Sequence, residues 1–370
     1  MHNKIKLCLA IPTHVGDKKF WSGTHDTLYN YLSSRKDVEL SILEYPYRET
    51  IFWRYFYSKI CRFFYTWSGP QDLIVRGIVN RMIKRELSSK ADDIDFYLFP
   101  GTPCSLNNSE KLRGKLCVYT DSLMSDMNKY RPYRPLKFLS SLYYRYNMKK
   151  DLSACVYIFT QNEWSRKRFC QLSGFSLSNA FNVHFGVNLK LFTGEKDYTQ
   201  KTMLIVLRKG TENTKGLTLL LKAMPIIRHH IPDVELSVVG TDYGSKQAGV
   251  TCYYNQPRST TIELFNKATL YVMPARNEPN GITYLEALAN RTPIVGLDRF
   301  SFPEFSNYGE YGFIVNKASA SALAETIIDA FSDPVRLSVM GRKGQDFVKN
   351  TYTWESTIET MINVLKSERL

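Results

Sequence analysis

The sequence predicts an α/β fold made of two doubly wound, Rossmann-like domains facing a central cleft. Three observations predict it. Short apolar runs alternate with helical patterns along nearly all of the 370 residues. Each half holds enough of these runs for a parallel sheet of its own. The boundary between the halves falls near Gly186 to Lys201, where the stretch Thr193-Gly194-Glu195-Lys196-Asp197-Tyr198-Thr199-Gln200-Lys201 is polar and lacks a strand pattern.

In the first half, strands are expected at Lys4–Ile11, Val38–Glu44, Phe96–Phe99, Leu116–Tyr119, Cys155–Thr160 and Phe181–Phe185. In the second half they are expected at Met203–Leu207, Val234–Val239, Leu270–Met273 and Pro293–Gly296. Amphipathic helices fit Thr24–Leu32, Gly216–His229, Thr260–Lys267, Ile282–Ala289, Ala320–Phe331 and Thr357–Leu365. The domains are accordingly read as 1–188 and 189–351, with a final helix at about 352–370 returning to the first. Such sheets place ligands at the carboxyl ends of their strands.

Hydrophobic residues make up 44% of the chain, which favours a packed core over disorder. The net charge of +14 calls for anionic partners: a nucleotide, nucleic acid or an acidic membrane surface. The seven cysteines form no CxxC pair, and Cys8, Cys117 and Cys155 sit inside apolar runs, as buried thiols of a reducing compartment would. The start, Met1 to Pro12, is too short for a signal peptide, and apolar stretches elsewhere fall short of the ~20 residues of a membrane span. A cytoplasmic location follows, free or peripheral on the inner membrane face.

The most informative segment runs from Pro274 to Leu288. An apolar strand ends at Pro274, Pro279-Asn280-Gly281 is bend chemistry, and a helix starts after Gly281. Such a start offers free backbone N–H groups and a positive dipole end to a phosphate. Glu278 precedes the start and Glu286 lies about one turn inside, so both can accept hydrogen bonds from sugar hydroxyls. Asn290 is expected to take the left-handed cap. Upstream, Arg208 ends one strand and Lys215 opens the next helix beside Gly216, a pair able to clamp a pyrophosphate. Alone, either acid reads as a surface or capping carboxylate, and the cations as a solvated basic turn. The ordered set is harder to dismiss.

That set resembles the retaining nucleotide-sugar glycosyltransferases of the GT-B fold, in particular glycosyltransferase family 4. The family signature Pro-Ser-x-x-Glu-x-x-Gly-x-x-x-x-Glu-Ala stands here as Pro274, Glu278, Gly281, Glu286 and Ala287, followed by Thr292-Pro293-Ile294-Val295. Ala275 replaces the usual serine. Gln161 to Ser165, Val183 to Phe192, Pro303-Glu304 and Tyr311 to Val315 resemble further family segments. The likeness is good over 150–355 and loose before that.

The resemblance implies roles. Glu286 would bind the ribose hydroxyls of a nucleotide-diphosphate sugar, and Glu278 the donor sugar. Backbone N–H groups at Gly281, Ile282 and Thr283 would hold the sugar and distal phosphate. Arg208 and Lys215 would stabilise the departing diphosphate, with Lys209 an alternative to Arg208 because the Arg–Lys spacing is two residues longer than usual. Gly23, after the first strand, would let the backbone approach the diphosphate. His25 reads more simply as a helix-start residue. Asp121, after the fourth strand, would orient the acceptor or the donor sugar, or else cap a helix. No nucleophile is identifiable, so retention would proceed by front-face substitution with the leaving diphosphate deprotonating the acceptor. Tyr253, Tyr254 or Arg258 are candidates to touch the base.

The triplet Asp93-Ile94-Asp95 has a metal-binding form, but its acids cluster before a strand, where they are usually solvated. No metal or other cofactor is expected. Aromatics and cations interleave over 45–67 and 129–150, with Arg76, Arg81, Lys84 and Arg85 between. This suits a membrane face gripping a lipid-linked glycan acceptor, with part of the aromatic set in the core. It also suits nucleic acid, supported by charge and aromatics alone. A sugar-nucleotide epimerase of similar fold is the other alternative, though such enzymes lack the Glu-x-x-Gly-x-x-x-x-Glu run.

Overall fold

A computed structural model describes residues 4–17, 23–49, 73–90, 93–101, 110–120, 146–147, 149–187 and 191–367. The chain divides into two compact units, Met1–Gly186 with Trp354–Leu370, and Val187–Thr353.

The first unit holds a six-stranded sheet in the order β2-β1-β3-β4-β5-β6, with every pairing parallel. Its strands are β1 (Ile5–Ile11), β2 (Val38–Glu44), β3 (Phe96–Pro100), β4 (Leu116–Thr120), β5 (Cys155–Thr160) and β6 (Ala180–Asn182). Helices α1 (Thr24–Ser33), α2 (Leu73–Ser88) and α3 (Glu163–Ser173) accompany it. Covered on both faces, the central strands are apolar almost throughout, and Leu7, Cys8, Leu9 and Ala10 are fully buried. Tyr45 and Tyr47 join Phe99, Val118 and Ile158 in the core, so the first two residues of the aromatic stretch are packing groups. Residues 50–72 and 121–145, which carry most of that stretch and Asp121, lie outside the described residues.

The acids Asp93 and Asp95 sit at the amino ends of β1 and β3. Asp93 pairs with Lys6, and the Lys6 backbone N–H donates to Asp95 Oδ2 at 2.8 Å. They fix strand entry, on the edge of the sheet opposite to the ligand-binding ends. Among the described residues no group of three or more His, Cys, Asp or Glu is placed to hold a metal. The C-terminal helix Trp354–Ser367 is tied to this unit: Arg35 donates to Asp37 at 2.7 Å and Glu359 at 2.5 Å, and Lys366 reaches Asp37 at 2.7 Å.

The second unit holds a parallel sheet in the order β12-β11-β10-β7-β8-β9. Its strands are β7 (Thr202–Val206), β8 (Glu235–Val239), β9 (Val250–Tyr253), β10 (Leu270–Val272), β11 (Ile294–Leu297) and β12 (Gly312–Val315). The helices are α4 (Leu217–His230), α5 (Arg258–Lys267), α6 (Ile282–Ala289), α7 (Phe302–Phe305), α8 (Ala320–Ser332) and α9 (Pro334–Thr351). The chain winds outward from β7 through β8 to β9, then returns to β10 on the other side. The strand order therefore reverses between β7 and β10, where open α/β sheets bind ligands.

Two readings are corrected. Asn290 is not left-handed (φ −97). Its Nδ2 donates to the Glu286 carbonyl at 2.7 Å, and Arg291 takes the left-handed conformation instead (φ 53). The strand expected to reach Phe185 stops at Asn182, whose side chain accepts from the His184 N–H at 3.0 Å as His184 turns left-handed. The polar stretch between the halves is anchored by Lys196, whose Nζ donates to the Phe265 and Ala268 carbonyls at 3.0 and 2.8 Å and to Thr292 Oγ1.

Candidate functional site

Two loops meet at the reversal point. The first leaves β7 through buried Leu207, exposes Arg208, and ends at Lys215-Gly216 before α4. The second leaves β10 through Met273 and ends at Gly281 before α6. The Arg276 N–H donates to the Thr214 carbonyl at 2.8 Å, pinning the loops together. Gly216 stands at φ 86, and a Cβ there would run into the Pro274 carbonyl oxygen. Both its conformation and its crowding require glycine.

This docking brings Lys215 against Glu278 as an ion pair, with side chains 25% and 14% exposed. Burial, with Arg208 as a nearby like charge, pulls the Lys215 ammonium down to about 8. The carboxylate opposite favours the charged form, and a second anion such as a diphosphate would favour it further. Arg208 is thus the cation whose field reaches Lys215. Lys209 turns away, 3.5 Å from Asp242 and 4.7 Å from the centre of the Tyr254 ring.

The bend before α6 is rigid. Tyr284 is buried and donates to the Met273 carbonyl at 2.6 Å, and a Cβ on Gly281 would strike its ring. Ser301, beyond β11, donates to the Pro279 carbonyl at 2.6 Å. No side chain caps α6. The Ile282 and Tyr284 N–H groups close onto the bend's own Asn280 and Gly281 carbonyls, both at 2.9 Å. Of the three amides expected to face a phosphate, that of Ile282 is therefore already engaged. Thr283 lies beside it in the first turn of α6, its hydroxyl 3.7 Å from the Met273 sulfur.

Glu286, one turn inside α6, is only 7% exposed. Its Oε1 pairs with Arg258 at the start of α5. Both acids that the spacing singled out are thus held by cations from other loops. The pairing with Arg258 is invisible in the local sequence, because α5 precedes β10 and only the sheet brings the two together. Asn277 was also missed. It is 9% exposed and its Oδ1 has no hydrogen-bond partner among the described residues. A buried orphan acceptor next to Glu278 is costly, which marks the position as more than a spacer.

In the first unit, Gly23 caps α1 at φ 80, a left-handed conformation suited to glycine. His25 is buried at 2% exposure within α1. Asp121 follows β4 directly in sequence, outside the described residues.

Two parallel sheets of this order, with a cation loop and a carboxylate-flanked bend at the reversal point of the second, make an α/β protein with a candidate ligand site there. Residues 191–354 match the model of the family described as glycosyl transferases group 1. A GDP-mannose-dependent monoacylated alpha-(1-6)-phosphatidylinositol monomannoside mannosyltransferase of Corynebacterium glutamicum is 29% identical over 210 residues, 50% of this chain and 55% of that protein. The lipopolysaccharide core biosynthesis mannosyltransferase LpcC of Rhizobium leguminosarum bv. viciae is 34% identical over 91 residues, covering 25% and 26%. The chain spans about half the length of the first curated relatives it matches. Among solved structures, the apo form of the lipopolysaccharide outer core galactosyltransferase WaaB aligns with a TM-score of 0.68 over 99% of this chain and 100% of that one, at 13% identity. That likeness carries the fold, which is the GT-B type.

Proposed function

We propose that this protein is a retaining, metal-independent glycosyltransferase that moves a hexosyl group from a nucleotide-diphosphate sugar to a glycan acceptor in cell-surface polysaccharide synthesis. The observation that carries the reading is the Lys215–Glu278 pair between the loops after β7 and β10, set beside the bend that opens α6. A cation for the diphosphate and an acid for the sugar stand in contact, as a donor's two ends require. Glu286 takes the ribose hydroxyls.

In the proposed reaction the bond from the anomeric carbon to the distal phosphate oxygen breaks, and its electrons leave with the nucleoside diphosphate. Lys215 and Arg208 offset the charge that develops on this leaving group. The acceptor oxygen bonds to the anomeric carbon on the same face, and its proton passes to the departing phosphate oxygen. Glu278 holds the donor sugar, and Asp121 orients the acceptor.

The acceptor is proposed to be lipid-linked and the enzyme peripheral on an anionic membrane. Support comes from the net charge of +14 and from Arg81, Lys84 and Arg85, which are exposed on α2. No helix among the described residues is long and apolar enough to cross a membrane. Flotation with anionic liposomes tests the contact, and absence of binding removes that part.

A thermal-shift panel of UDP-, GDP- and dTDP-sugars tests the donor reading. Stabilisation by one nucleotide series supports it, and no response to any contradicts it. The anomeric configuration of the product, read by NMR, tests retention.

A further inference from the structure

The structure assigns Arg258 a task that rests on the donor reading above: it is a positioning residue that holds the Glu286 carboxylate for the ribose of the donor. Arg258 is the first residue of α5, and Pro257 (φ −65) sets its approach. Its guanidinium Nη2 pairs with Glu286 Oε1, and the structure gives Oε2 no hydrogen-bond partner among the described residues. The Glu286 side chain is 9% exposed, whereas that of Arg258 is 59% exposed. The acid is fixed in a nearly closed slot and the cation reaches it from solvent. Among the described residues no second cation is paired with Glu286: Lys215 pairs with Glu278 and Lys209 with Asp242.

This arrangement has two consequences. The cation gives a nearly buried carboxylate an opposite charge to face. It also takes one oxygen and leaves the other to accept, so the carboxylate is oriented before a ribose arrives. A charge-assisted hydrogen bond to a hydroxyl is strong only when the acceptor is ionised and aimed. Arg258 thus acts through Glu286 on the sugar ring of the nucleotide, not on the base or the diphosphate.

The test measures dissociation constants of UDP, GDP and ADP, and of their 2′,3′-dideoxy counterparts, for the full chain and for Arg258→Met, Arg258→Lys and Glu286→Gln. The best-bound ribonucleotide is expected to weaken about tenfold in Arg258→Met, while its dideoxy counterpart changes less than twofold. Arg258→Lys should recover part of the loss. Arg258→Met should add nothing in the Glu286→Gln background, the signature of two residues acting as one unit. Equal weakening of ribo- and dideoxynucleotides would overturn the inference by placing Arg258 on base or phosphate. Tighter binding in Arg258→Met would overturn it by making the pair an obstacle that the nucleotide displaces, and an unchanged constant would overturn it outright. If the unaltered protein binds none of these nucleotides, the donor reading itself fails and takes the inference with it.

Discussion

Lys215 and Glu278 form an ion pair between the loops that follow β7 and β10, at the point where the sheet reverses its strand order. The pair exists because the Arg276 N–H is bonded to the Thr214 carbonyl and because Gly216 leaves room for the Pro274 carbonyl. A lysine so placed is partly stripped of water and faces one acid. Under the proposed function it would exchange that partner for, or share it with, the phosphates of the donor.

Nucleoside diphosphate affinity should therefore fall at mildly alkaline pH. Burial lowers Lys215 to about 8, and only its protonated form attracts the anion. Affinity should be flat below pH 7 and drop as pH rises through 8 and 9, well before an ordinary lysine would titrate. In Lys215→Met the affinity should be weaker and independent of pH over that range. A wild-type profile that stays level to pH 9.5 would contradict the assignment.

Lys196 gives a stability signature of its own. Burial, with Arg291 as a second cause, lowers it to about 7, while the unfolded chain keeps its lysine protons to about 10.5. Between those values the unfolded state binds more protons, so this group makes stability rise with pH, by at most about 1.4 kcal/mol per unit. Denaturation of Lys196→Met from pH 7 to 10 should show a shallower rise than the parent. Identical slopes would mean that Lys196 keeps its charge throughout.

Gly216→Ala should cost about 1–3 kcal/mol through its left-handed backbone and the clash with Pro274. Because Lys215 is the neighbouring residue, nucleotide binding should weaken as well. Urea melts and titration calorimetry on one sample check both, and a variant with parental stability would show that the loop relaxes freely.

Asp37 ties the C-terminal helix to the first unit. Hydrogen bonds from Arg35, and then Lys366, outweigh burial and hold its carboxyl well below the usual range. A lowered carboxylate contributes stability above its unfolded value near pH 4 and loses it as pH falls. Asp37→Asn should be less stable than the parent by about 1 kcal/mol at pH 7, allowing for its partial exposure, and the gap should narrow below pH 4. A gap that persists unchanged at pH 3 would point to packing rather than charge.

Much of the fold was legible because buried parallel strands are written as apolar runs. The limits of β2, β5 and α6 coincide with those read from the residues, each bounded by polar or bend chemistry. Strand β9 was not legible: it lies at the sheet edge and buries only Val250, so it lacks the apolar signature. Helix α9 was hidden by Gly341 and Gly344, which dilute helix propensity yet are needed for packing. A Cβ on Gly341 would meet the Arg291 carbonyl, and one on Gly344 would press on Leu288 at 2.6 Å. In the site, the spacing of Glu278, Gly281 and Glu286 was readable because the motif is local. The partners of the two acids were not, since Lys215 and Arg258 come from loops that only the sheet brings near.

The most direct test of the central claim is titration calorimetry of UDP, GDP and dTDP into the parent protein and into Glu278→Gln/Glu286→Gln, after checking that both fold. The account predicts that one nucleotide binds the parent and binds the double variant at least tenfold more weakly. Equal affinity in the two proteins, or no nucleotide binding by the parent, would contradict it.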